Sequence, residues 1–235
     1  MKKILVYVCI ISTMMLSGCM LPESISVESQ RPYEDQLASV QAAVEKYQES
    51  SGGLLPIKTR EQEVDQYIKY PIDFQKIVPT YLSEIPPNAY EKGGLFQYVI
   101  MNVEENPTVK LVDLRSATKI RELNVQIKVN GYGPIAGKVA ENVYKLDYQI
   151  MGYEDEQTVP SPYSDVNLPL VAIGNGTIYI DYSIELNRIL QQDNPDVKPG
   201  EDIRYLLVDK YPVVPAYSLP YTVNENNEPE FLLEK

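Results

Sequence analysis

The sequence predicts an α+β fold with antiparallel sheet, and three observations carry that reading. A helical hydrophobic pattern opens the body of the chain at Tyr33–Ser50, hairpin-like runs separated by polar turns recur after it, and helical and strand-like segments are interspersed without the regular βαβ alternation of a parallel sheet. The 235 residues, 44% hydrophobic and 23% charged, form an ordinary globular composition and suffice for one domain or two small ones. The expected architecture is an N-terminal amphipathic helix packed on antiparallel sheet, with several short helices and hairpins.

In Tyr33–Ser50 the residues Leu37, Val40, Val44 and Tyr47 recur at helical spacing with Ala43 beside them, and Gly52-Gly53 supplies a left-handed stop. The stripe is expected to pack on the domain's own sheet, the alternative being a partner-binding face. Leu54-Leu55-Pro56-Ile57 reads as a short extended piece, 61–70 as a weak helix or irregular, and Pro71 to Val78 as a short helix with Pro near its start. Leu95 to Val103 and Thr108 to Leu114 are strand-like, joined by the turn Glu104-Glu105-Asn106-Pro107. Residues 115–130 fit either period: Ala117, Ile120, Leu123 and Ile127 suit a helix, while Leu123, Val125, Ile127 and Val129 alternate like a strand. The helix is favoured. A second helix is expected over Lys138–Tyr148, on Val139, Val143 and Leu146. Leu168–Ile173 and Thr177–Tyr182 flank Gly174-Asn175-Gly176, a hairpin signal. Ser183 then reads as the N-cap of a helix through Leu190, and 202–208 as a further short helix. Tyr211–Val223 is Pro-broken and edge-like, and a polar turn at 224–228 precedes Phe231. A subdomain break is expected near 112–116, giving an N-terminal part over 33–114 and a C-terminal part over 115–235.

Ahead of this body stands an export signal. Lys2 and Lys3 precede an apolar stretch from Ile4 to Leu16, which is shorter than the roughly 20 residues of a membrane span. It ends in Leu16-Ser17-Gly18-Cys19, which resembles the bacterial lipobox at every position. The resemblance implies a diacylglycerol on the Cys19 thiol and cleavage after Gly18. Residues 1–18 are then a lipoprotein signal peptide and 19–32, bounded by Pro22 and Pro32, a lipidated tether. Two acyl chains give stable anchoring, so the body is expected on the outer face of a membrane. Losing residues 1–18 removes two lysines and no acid, which takes the formal charge from −12 to −14. An acidic body repels nucleic acid and anionic head groups, so no nucleic-acid partner is expected.

Composition closes several chemistries. Without His there is no Ser-His-Asp or Cys-His nucleophile, no His-type zinc site and no imidazole acid or base. The two cysteines, Cys9 and Cys19, offer no disulfide framework. Asp193, Asp196, Glu201 and Asp202 form an acidic run that could hold Ca²⁺, but EF-hand spacing is absent and Lys198 sits within it, so a solvated loop is expected. Asp181 and Glu185 straddle a strand-to-helix junction where paired carboxylates could do acid–base work, and helix-start acids explain them more simply. Asn175-Gly176-Thr177 fits the N-glycosylation pattern and is better read as a hairpin turn. Gly131-Tyr132-Gly133 lacks the Gly-Lys-Ser/Thr of a phosphate loop. The 19 tyrosines, against three Phe and no Trp, suit half-buried sheet faces, with a carbohydrate-binding surface as the alternative.

Five phrases together resemble one family: Gly52 to Thr59, Tyr70 to Phe74, Asn88-Ala89-Tyr90-Glu91-Lys92-Gly93-Gly94, Asn106 to Arg115 and Ala216 to Tyr221. They are similar to the YphF-like lipoproteins of spore-forming Gram-positive bacteria, a family whose members are sometimes labelled ABC-transporter substrate-binding lipoproteins. The resemblance implies a Gram-positive cell surface and carries no catalytic or ligand residues. The resulting expectation is a membrane-anchored extracytoplasmic lipoprotein with a non-enzymatic binding or assembly role at the cell envelope, without a cofactor, whose partner is an envelope protein or cell-wall polymer. The alternative is the substrate-binding lipoprotein of an ABC transporter.

Overall fold

The computed structural model describes residues 34–58, 64–130 and 134–232. The lipobox residues Leu16, Ser17, Gly18 and Cys19, the tether, and Gly131-Tyr132-Gly133 lie outside the described residues. Helices and antiparallel sheets are interspersed along the chain, so the fold is α+β.

Helix α1 spans Glu34–Ser50. Its first turn carries Glu34 and Asp35, which favour the positive end of the helix dipole. It ends where Gly52 and Gly53 take positive φ and the Gly53 N–H donates to the Gln48 carbonyl. Val40, Ala43 and Val44 are buried, and Leu37 and Tyr47 pack beside them against Phe74, Tyr98, Val109 and Leu111. The stripe is core. Gln41 fastens the helix to the sheet: its amide donates to the Pro107 carbonyl at 3.0 Å and accepts from the Val109 N–H at 2.7 Å.

That sheet is the hairpin β1 (Phe96–Met101) and β2 (Thr108–Asp113), in register from Phe96 opposite Asp113 to Met101 opposite Thr108. Neither of its edges is bare. Pro71 bridges to Val99 on one side, and Val213 bridges to Leu111 on the other. Covered edges leave no template for foreign strands. The short helix α2 is confined to Phe74–Ile77, capped by the Asp73 carboxylate, because Pro71 and Ile72 are used as extended bridges.

Helix α3 (Leu114–Asn130) follows β2 directly and resolves the ambiguity of 115–130 in favour of the helix. Ile120 and Leu123 enter a second core with Leu168, Ile180 and Leu186. That core is built on β3 (Ile135–Ala140), β4 (Val143–Leu146), β5 (Thr158–Pro160), β6 (Asn167–Ile173) and β7 (Ile178–Ile180), ordered β3-β4-β6-β5 with β7 on the other side of β6. The helix expected over Lys138–Tyr148 is therefore a hairpin. Val143 and Leu146, three apart, mimic a helical face, but on a strand they point to opposite sides. Val143 packs with Val171 and Leu219 while Leu146 joins the larger core. The turn between the strands is made by Asn142 at φ 53°. Strand β5 had no clear signal in the sequence.

Helix α4 runs Ser183–Asp193, beyond the expected Leu190, and ends at Asn194 in the left-handed region. Ser183 is its first residue and not its cap: the Asp181 carboxylate accepts from the Ser183 N–H. Helix α5 is Tyr205–Lys210, displaced from 202–208 because Asp202 accepts from the Arg204 N–H ahead of it. The hairpin β8 (Tyr221–Val223) and β9 (Pro229–Phe231) closes the chain.

Most of the first core comes from residues before 114 and the second from residues after it, but Val213 belongs to the first core, Tyr163 packs against both, and a third, smaller cluster spans the two. Tyr67, Val99 and Val112 meet Val214 and Ala216, with Leu114 and Tyr217 packed against them. Polar groups reinforce the join. The Asp65 carboxylate accepts from the Tyr67 N–H and, at 2.7 Å, from the Tyr217 N–H. Lys110 donates to the Val208 and Tyr211 carbonyls.

A carboxylate-free groove along helix α3

The largest concavity described has a volume of 640 Å³ and runs along helix α3. Its helical wall is the face carrying Thr118, Arg121, Asn124, Val125 and Lys128, residues three, four and seven apart that stack on one side of a helix. The facing wall is built from Tyr90, Gln97 and Tyr217.

Each wall is held by structure already described. Leu114 and Ile120 root the helix in the junction cluster and in the second core. Tyr90 sits at the start of a short 3-10 turn over Tyr90–Lys92. Gly93 ends that turn at φ 82°, a conformation glycine adopts without steric cost. Gly94 lies so close to the backbone of Asn88 that an added Cβ would meet its carbonyl carbon at 2.1 Å. Asn88 is itself buried and accepts from the Tyr98 hydroxyl at 2.8 Å. The loop therefore holds Tyr90 with its side chain facing water, 63% exposed.

Charge distinguishes this groove. The chain carries 33 acids, yet none of the eleven lining residues is Asp or Glu, while two, Arg121 and Lys128, are cations. No ion pair among the described residues engages either of them. Three smaller grooves each include a carboxylate: Glu156 and Asp181 in one, Glu104 and Glu105 in a second, Asp65 in a third.

The other sequence candidates are placed differently. Asp181 accepts from the Tyr221 hydroxyl at 2.8 Å and from the Ser183 N–H at the start of α4. Glu185, 1% exposed, faces another way, accepting from the Ser161 and Ser164 hydroxyls and pairing with Arg188. The two carboxylates thus serve separate structural contacts. In the acidic run, Asp193 pairs with Lys210 and Asp202 with Arg204, and Glu201 accepts from the Lys198 N–H. No group of three or more metal-ligating side chains occurs among the described residues. Asn175 accepts from the Thr177 N–H within the β6–β7 turn. Tyr67, Tyr98, Tyr148, Tyr182 and Tyr221 are buried, and burial pushes the Tyr67 and Tyr98 hydroxyls up to about 12. Tyrosine thus supplies much of the aromatic core.

The junction beneath the groove is electrostatically tuned. Burial raises the Asp65 pKa despite its two backbone donors. Burial works against the charged Arg204, but its hydrogen bonds to Asp202 prevail and hold its pKa above the ordinary value. The guanidinium lies over the Tyr67 ring at 5.2 Å.

Residues 33–113 match the YphF family N-terminal domain. The match supports YphF-like membership and accounts for four of the five phrases read as family resemblance, wholly or, for Asn106 to Arg115, in all but its last two residues. The matched segment contributes Tyr90 and Gln97 to the groove and stops where α3 begins. No curated protein and no solved structure matches the chain. The groove was not foreseen from sequence. Its signal was present in α3, which holds Arg115, Lys119, Arg121 and Lys128 against the single acid Glu122 in an otherwise acidic chain.

Proposed function

We propose that this chain is a lipid-anchored, extracytoplasmic binding protein of a Gram-positive cell envelope, a YphF-like lipoprotein without enzymatic activity. The observation that carries the reading is the sequence Leu16-Ser17-Gly18-Cys19 directly after the apolar run from Ile4. Cys19 takes the diacylglycerol, and the body presents the groove along α3 to a partner in the envelope. A binding role is supported by the engagement of Asp181, Glu185, Asp193 and Asp202 in structural contacts, and by a groove in which Arg121 and Lys128 have no ion-pair partner among the described residues. No helix among the described residues is long and apolar enough to cross a membrane, so attachment in this reading falls to the lipid.

The test is mass spectrometry of the protein from the membrane fraction of a Gram-positive host. The expected N-terminal peptide begins at Cys19 and carries diacylglycerol, and Cys19→Ala releases the protein from the membrane. An intact N-terminus with an unmodified thiol overturns the anchor.

A second reading, delivery of a small solute to an ABC permease, draws on the groove's volume, which lies within the roughly 300–1,000 Å³ of small-ligand sites. Cross-linking in living cells separates the two. Recovery of a permease and its ATPase alone would replace the binding or assembly role with transport.

A further inference from the structure

We propose that the groove along α3 binds an anionic glycan, a chain of sugars bearing carboxylate or phosphate groups. The proposal deepens the envelope-binding reading and rests on it for where such a chain would be met. Three features choose this class. First, Arg121 and Lys128 face an acid-free groove without an ion-pair partner among the described residues. In a chain with a formal charge of −12, a carboxylate-free strip with two cations is the local minimum of repulsion for an anion. Second, seven residues along one helix separate their α-carbons by about 10 Å. At that spacing each cation can engage its own anionic group on a chain with repeated charges. Third, the remaining lining is suited to sugars. Tyr90 offers an exposed ring for stacking and a hydroxyl for hydrogen bonding, Asn124 adds donors and an acceptor, and Thr118, whose hydroxyl donates to the Leu114 carbonyl, adds an acceptor. Leu114, Ala117, Ile120 and Val125 also line the groove, but Arg121, Asn124 and Lys128 interrupt them, and an amphipathic peptide helix would need a continuous apolar groove.

The experiment uses the detergent-solubilised full chain and fluorescence anisotropy with two labelled probes, an oligogalacturonate and a phosphorylated mannan oligosaccharide. Monogalacturonate, neutral dextran and polyglutamate are comparators. The expected result is binding of at least one anionic glycan, weakened by added salt and not matched by monogalacturonate or dextran. The double variant Arg121→Gln/Lys128→Gln should weaken it at least about tenfold, the loss of about 1.4 kcal/mol. Tyr90→Ala should weaken it further, and Lys46→Gln on α1 should leave it unchanged. Thermal melts of each variant confirm the fold, because all four side chains are exposed. Binding of neither glycan, or binding indifferent to the double variant, overturns the proposal. Polyglutamate bound as tightly as the glycans and insensitive to Tyr90→Ala also overturns it, and assigns the groove to an acidic protein segment. The two proposals fail separately: an unlipidated Cys19 with intact glycan binding removes the anchor alone, and a lipidated chain that binds no glycan removes the ligand alone.

Discussion

Helices α1 and α3 are each 17 residues long and each lies against a sheet, yet they have opposite electrostatic and packing characters. Helix α1 carries Glu34, Asp35, Glu45 and Glu49 against Lys46, and α3 carries four basic residues against Glu122. Helix α1 buries a compact triplet, Val40, Ala43 and Val44, and turns polar residues outward. Helix α3 buries Ile120 and Leu123 but leaves Val125 56% exposed and Val129 80% exposed. Amphipathic spacing alone does not separate the two: the only exposed apolar side chains of α1 are the small Ala38 and Ala42, whereas the outward face of α3 mixes Val125 and Val129 with cations unlike the rest of the chain.

The comparison breaks most visibly at the core. Val44→Asp places a carboxylate where Val44 is 0% exposed, and the expected cost is about 3 kcal/mol or more. The same change at Val125 should shift stability by no more than about 0.5 kcal/mol. Urea denaturation of both variants measures the contrast, and equal losses would erase it. Leu123→Ala comes next. Leu123 is fully buried, so a loss of about 2–5 kcal/mol is expected, and a near-neutral result would make α3 a loosely attached element.

A smaller effect sharpens the role of the junction on which α3 begins. The raised pKa of Asp65 means that the folded chain holds this proton more tightly than the unfolded chain. Its contribution is therefore fully present below the ordinary carboxylate value of about 4 and is lost as pH rises through the raised folded value. The stability of the native chain minus that of Asp65→Asn should fall as pH rises from below the ordinary carboxylate value. A difference that rises with pH would contradict this. The smallest effect belongs to charge alone: Arg121→Glu and Glu45→Lys, both at exposed positions, should each change stability by less than about 0.5 kcal/mol. Of the two, only Arg121→Glu should alter glycan binding.

The legible parts of the fold were those where one signal had one meaning. Val40, Ala43 and Val44, followed by paired glycines, could only serve a helix with a stop. Gly174-Asn175-Gly176 between two β-rich runs could only serve a tight turn. The hairpin at 135–146 was misread because Val143 and Leu146 occupy both faces of a strand covered on both sides, and three-residue spacing then imitates a helix. Ser183 looked like a cap, but the N-cap position falls on Tyr182, which has no capping side chain, and the Asp181 carboxylate accepts from the Ser183 N–H instead. The groove escaped for a different reason: Tyr90, Arg121 and Tyr217 come from three distant stretches, and only the folded chain brings them together. Its cationic half could be read in α3, but its boundary could not.

The hydrogen bond from Tyr217 to Asp65 joins positions 152 residues apart, and this has a consequence for biosynthesis. Ribosomes deliver the N-terminus first, so β2 emerges about a hundred residues before Val213 arrives to cover its outer edge. Tyr67, Val99 and Val112 likewise wait for Val214 and Ala216. Until the last tenth or so of the polypeptide is made, the first half has an open strand edge and an uncovered apolar face. A product stalled before residue 212 is thus a natural substrate for proteases and chaperones. In the proposed exported lipoprotein, the same delay would keep the chain unfolded until nearly all of it is available to cross the membrane.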